Sequence, residues 1–141
     1  MEQKHYIEKI QNARSITDAL HALEQEEKPM PLPVLLANAL AQQSLPMQEL
    51  ARRIDVERST LYRLLSGERL TTRNVLLRIA LALHFSVEET QTLLRAGRRA
   101  QLYAPVRRDA ILLFCLSRGE TLELTEAVLQ QRGCDSLYER L

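Results

Sequence analysis

Tryptophan is absent from the 141 residues, and the only aromatic side chains besides histidine are four Tyr and two Phe. Glycine occurs four times and proline five times. With so few turn-formers and β-favouring aromatics, the composition favours helices throughout. There is no P-loop, no glycine-rich nucleotide fingerprint and no activated nucleophile, so no enzyme is expected and no cofactor is implied. The two cysteines, Cys115 and Cys134, have no CxxC or Cys/His spacing, and His5, His21 and His84 are isolated, so no metal ligand set and no catalytic constellation is read. The longest apolar run, "AILLFCL" around Cys115, is far too short to span a membrane. No signal peptide pattern opens the chain. A soluble, cytoplasmic protein with reduced thiols is expected.

What is abundant is Ala, Leu, Gln, Glu and Arg, and 45% of the chain is apolar, enough for a real core. The net charge of +1 hides an asymmetry. Residues 1–57 carry six basic and nine acidic side chains, residues 58–118 eleven and four, and residues 119–141 two and five. A basic centre between acidic ends suits contact with a polyanion on one face, although solvated helix faces give the same count.

The periodicity predicts a chain of helices. Glu2–Glu27 is helical around Ile7, Ile10, Ile16, Leu20 and Leu23, with Ser15 able to cap a second helix near Ile16. "EEKPMPLP" (Glu26–Pro33) breaks it. Helices follow over Leu32–Gln43, Met47–Ile54 and Arg58–Ser66, the last stopped by Gly67. Thr72 caps Arg73–His84, and Ser86 with Glu89 makes a capping box for a helix that reaches Ala96. In the tail, Arg107–Ser117 is apolar all round and is expected to be central; a last helix starts after Thr121 and ends near Gly133. A shift of 35 residues lays Arg73–Tyr103 on Arg108–Tyr138 with eight identities in 31 positions. This predicts two copies of a helical hairpin, the second packed on the first, with Tyr103 and Tyr138 closing each.

Between Leu50 and Leu70, "LARRIDVERSTLYRLLSGERL", the helical spacing of apolar residues breaks across "IDV" and resumes on a new phase. A tight turn between two short helices explains the break. Leu50, Ala51 and Ile54 are buried on one side and Leu61 and Leu64 on the other, with Val56 plugging the turn and Asp55 at φ > 0. That is the physical pattern of a helix-turn-helix.

"LPMQELARRIDVERSTLYRLLSGERLTTRNVLLRIALALHFSVEE" (Leu45–Glu89) resembles the lambda repressor/Cro-like helix-turn-helix, or XRE, family. With Leu32–Gln43 as first helix the resemblance covers about 65 residues, and Pro31–Leu137 as a whole is similar to small bacterial proteins that follow this domain with "RRDAI" and a last helix pair. The resemblance implies an all-α fold. A five-helix lambda-repressor-like core (31–97) would follow an N-terminal helical arm (1–30) and precede a C-terminal helical hairpin packed on the core (98–141). It implies a sequence-specific regulator of transcription that binds double-stranded DNA as a homodimer. The face of the recognition helix would be Glu57, Arg58, Ser59, Tyr62 and Arg63, and Arg69, Arg73 and Asn74 would meet the DNA backbone.

Three positions depart from the family pattern. Pro46 and Met47 stand where Ser-Gln is usual, which removes a phosphate contact. Asp55 replaces the turn glycine, and Glu57 replaces a Ser or Thr cap. These departures, with the acidic ends, keep a second reading open: an adaptor that uses the fold for protein–protein contact through the N-terminal arm or the C-terminal helices. For Arg58 and Arg63 the alternative is a solvated or intramolecular pair. The flanking cluster Arg98, Arg99, Arg107 and Arg108 fits either phosphate or internal acids.

Overall fold

The computed structural model describes residues 2–24, 30–68 and 70–140. Every regular element among them is an α-helix: α1 (Glu2–Asn12), α2 (Ile16–Glu24), α3 (Leu32–Gln42), α4 (Met47–Ile54), α5 (Arg58–Ser66), α6 (Arg73–Ala82), α7 (Val87–Ala96), α8 (Arg107–Ser117) and α9 (Leu122–Gln131). None is long and apolar enough to cross a membrane. Of the expected break at Glu26–Pro33, residues 26–29 lie outside the described residues, while Pro31 is the N-cap of α3 and Leu32 and Pro33 already belong to its first turn.

Local chemistry fixes the helix ends. The side chains of Thr72 and Thr121 accept from the N–H groups of Val75 and Leu124 at the starts of α6 and α9, and Ser86 and Glu89 form the reciprocal capping box of α7. Ser15 accepts from the Asp18 N–H at the start of α2. α5 stops at Gly67, whose φ of 78° is left-handed.

α3, α4 and α5 pack together and onto α6–α7, and α8–α9 packs on the same pair. The core is continuous from Leu32 to Leu137; Leu36, Leu50, Ile54, Leu61, Leu76, Ile79, Leu93, Leu112, Leu129 and Leu137 in it are fully buried. Gly97 fits because it has no side chain: a Cβ there would overlap Cδ1 of Leu76. α1 and α2 pack on each other, and Ala19 between them is buried outside that core.

The repeat survives at the level of single atoms. Arg73 donates from its guanidinium to the carbonyls of Ala100 and Gln101; Arg108, 35 residues on, donates to those of Asp135 and Ser136. Gln91 holds the Leu102 backbone at N–H and C=O, and Glu126 accepts from the Leu137 N–H. The buried hydroxyls of Thr90 and Thr125 return to the carbonyls of Ser86 and Thr121. Even the left-handed backbone positions recur, His84 with Gly119 and Arg98 with Gly133.

Two expectations are corrected. α8 is an outer helix: it buries Asp109, Leu112, Cys115 and Leu116, but Phe114 is 58% exposed. Its all-round apolar sequence misleads because α8–α9 has the α6–α7 layer on one side, and the opposite side is an open groove. Nor do the two tyrosines close their hairpins alike. Tyr138 lies under the Arg78 guanidinium, 4.6 Å from Cζ to ring centre, whereas Tyr103 is 64% exposed and contributes its backbone N–H to Asp109.

Candidate nucleic-acid interface

The two helices α4 and α5 are too short to persist alone, so their geometry is set by what they bury. Leu50, Ala51 and Ile54 of α4, and Leu61 and Leu64 of α5, point into the core. The three-residue link between them turns on Asp55, which has φ 55° and ψ 53°, a left-handed conformation that Asp tolerates better than most residues. The Val56 N–H then closes on the Ala51 carbonyl at 3.0 Å, and the half-buried Val56 side chain packs against the core.

Burying Leu61 and Leu64 leaves the opposite side of α5 in solvent. Glu57, Arg58, Ser59, Tyr62 and Arg63 are all exposed there, so the structure brings these five expected residues together. Arg58 is ordered within the group: its Nη2 donates to the Tyr62 hydroxyl at 3.3 Å, and Cζ lies 5.4 Å from the Tyr62 ring centre, a cation–π arrangement. Glu57 sits at the N-cap without a side-chain capping bond, which leaves its carboxylate outward.

The remaining three expected residues are not on this face. Asn74 is buried; its amide donates to the carbonyls of Ser136 and Glu139 and its oxygen accepts from Arg108. Arg73 is turned the same way, bonded to Asp109 and to two backbone carbonyls. The start of α6 faces the C-terminal segment, so these side chains serve the interior rather than a DNA backbone. Arg69 lies outside the described residues.

The flanking arginines divide. Arg108 is drawn inside, where burial pushes its guanidinium below its ordinary value, and Arg99 holds the Thr71 carbonyl at 2.7 Å. Arg98 and Arg107 stay exposed.

Sequence reading passed over a second charged group, on α4. Glu49 accepts from both Arg52 and Arg53, and these hydrogen bonds, Arg52's first, lower its carboxyl to about 2. The signal was present in the spacing, an acid followed by bases three and four residues later on one helix. Both arginines remain exposed. Met47, where the family resemblance would place the phosphate-binding Gln, is half-buried against the core, and its exposed neighbour is Gln48.

A family model described as Helix-turn-helix matches residues 36–89, the span from within α3 into α7. No curated protein and no solved structure matches the chain significantly.

Proposed function

Because residues 36–89 form a helix-turn-helix domain of the lambda repressor/Cro-like family, we propose that the protein is a sequence-specific transcriptional regulator that seats α5 in the DNA major groove. The observation that carries this is the division of α5 itself. Leu61 and Leu64 lock it to the core while Glu57, Arg58, Ser59, Tyr62 and Arg63 form one exposed row.

In that pose Arg58 and Arg63 read guanine edges or grip phosphate, Ser59 touches a base edge or phosphate, and Tyr62 packs on a thymine methyl or the sugar wall. The Glu57 carboxylate accepts from a cytosine amino group, the one base-edge role that suits an acid in a polyanion's groove. Arg69, three residues beyond α5 in sequence, would reach backbone phosphate. Arg52 and Arg53, at the far end of α4, add charge with Glu49 fixing their direction. As a homodimer the protein would occupy half-sites about 34 Å apart.

The test is fluorescence anisotropy on DNA from the protein's own upstream region against a scrambled duplex, across a salt series. Preference for the first, with a steep loss of affinity as salt rises, supports the reading. Arg58→Ala with Arg63→Ala abolishes that preference and leaves the helical circular dichroism intact; undiminished preference in the double variant sinks the assignment of α5.

A second reading, protein–protein contact through the same fold, is favoured by apolar side chains left in solvent on α1–α2 and on α8–α9, among them Ile7, Ile10, Ile16 and Leu20, and Phe114 and Leu124. The two readings are compatible.

A further inference from the structure

The two repeats use the same positions differently. In the first, Leu76, Ile79 and Leu93 are fully buried. Their equivalents 35 residues on, Ile111, Phe114 and Val128, line an open groove between α8 and α9 with Ala110 and Leu124. The difference comes from neighbours. α6–α7 is covered on one side by α3–α5 and on the other by α8–α9, whereas among the described residues the main cover of α8–α9 is α6–α7. The groove is therefore the outer face of the last helical hairpin among the described residues, left without the cover that its counterpart on α6–α7 has.

The chain carries one more hairpin of that construction. α1 and α2 are joined by three residues, with Ser15 capping α2 as Ser86 and Thr121 cap α7 and α9. The Ala19 N–H bonds the Ser15 carbonyl as those of Thr90 and Thr125 bond the carbonyls of Ser86 and Thr121. Its apolar side chains are unspent: Tyr6, Ile7, Ile10 and Leu20 are exposed, and Ile16 is 76% exposed. Two helices of 11 and 9 residues that fully bury one alanine among their described side chains are a marginal unit in water. No described residue of α1 or α2 lines the α8–α9 groove, and the side chains just named are exposed, so within one copy both faces stay open. Charge does not oppose their union: residues 2–24 hold four acids and three bases, while Arg107 and Arg132, with Glu120 beside them, line the groove and Arg118 stacks on its Phe114.

We propose that the α1–α2 hairpin of a second copy of this chain docks in the α8–α9 groove, continuing the repeat stack by one layer, and that two copies exchange these hairpins reciprocally. Such an exchange covers all four open faces and closes on a two-fold axis. It rests on the homodimer proposed above and is independent of DNA binding.

The experiment is light scattering after size exclusion on the full chain at tens of micromolar, with Ile16→Glu and Phe114→Glu, both at exposed positions. The intact protein runs as a dimer; each variant runs as a monomer with unchanged circular dichroism. An equimolar mixture of the two variants regains dimer, because one intact arm still meets one intact groove. A photo-crosslinker at position 16, in mixed light and heavy-nitrogen copies, joins residues 107–132 of the other copy. A monomeric intact protein overturns both the homodimer and the exchange. A dimer indifferent to Ile16→Glu, or no rescue in the mixture, overturns the exchange alone, as do crosslinks confined to one chain.

Discussion

The guanidinium of Arg73 holds the carboxylate of Asp109 at two points, 3.0 and 2.9 Å, across 36 residues of sequence. The residues beside them answer in reverse: Arg108 donates to Asn74 at 2.8 Å. The same two positions of each repeat thus brace the other repeat, and the loop after α7 hangs from them through Ala100, Gln101 and the Tyr103 N–H.

Asp109→Asn breaks this brace and leaves the Arg73 charge without its carboxylate. Hydrogen bonds to charged groups and partly buried ion pairs of this kind are worth about 2–3 kcal/mol. Urea unfolding shows the loss as a lower midpoint. A cycle with Arg73→Met shows coupling, because the second substitution costs less once the first is made.

Acid should loosen the same contact. Burial pushes the Asp109 carboxyl up, but the Arg73 guanidinium and the Tyr103 N–H outweigh it and hold the group below its ordinary value. A carboxyl lowered on folding contributes stability above its unfolded value, and that contribution disappears as pH falls through the folded one. Thermal unfolding followed below about pH 4 therefore declines less steeply in Asp109→Asn than in the intact protein.

Backbone handedness gives a third expectation. His84 sits at φ 55° where the second repeat has Gly119 at 66°. A left-handed residue with a side chain is strained by roughly 1–2 kcal/mol, partly offset by the stiffer unfolded chain. His84→Gly raises the thermal midpoint slightly, whereas Gly119→Ala lowers it although no atom lies near the new methyl. Gly97→Ala lowers it for a different reason, overlap with Leu76, by about 1–3 kcal/mol.

On α5, Tyr62→Phe keeps the ring under Arg58 and removes the hydroxyl that receives its hydrogen bond. Stability should stay within about 0.5 kcal/mol, as for other exposed changes. Discrimination between operator and scrambled duplex in anisotropy titrations should fall several-fold, since Arg58 loses one of its two orienting contacts.

Helix ends were legible because they are local: Thr72, Ser86, Gly67 and Asp55 carry their reasons within four residues. The outward row of α5 was legible from the phase of Leu61 and Leu64, and the repeat from matched spacing. The fate of Arg73 and Asn74 was not. A basic and an amide residue at a helix start look alike whether they meet phosphate or a carboxylate, and the deciding partners, Asp109, Ser136 and Glu139, lie 36 to 65 residues away. The outer position of α8 was hidden for a related reason: hydrophobicity records what a helix wants to bury, not how many neighbours it finds.

The Leu137 carbonyl accepts from Arg78, whose buried guanidinium is pushed below its ordinary value by desolvation, and the backbone around it also receives Asn74 and Arg108. Recombination is the process that feels this most. A crossover at Gly97 that joined the helix-turn-helix half to a foreign tail would strand Arg73, Asn74, Arg78 and Gln91, whose partners lie beyond it. Heredity would thus treat the two halves as a single locus of selection, and on the proposed function a change of operator would arise by point substitution on α5 rather than by shuffling modules.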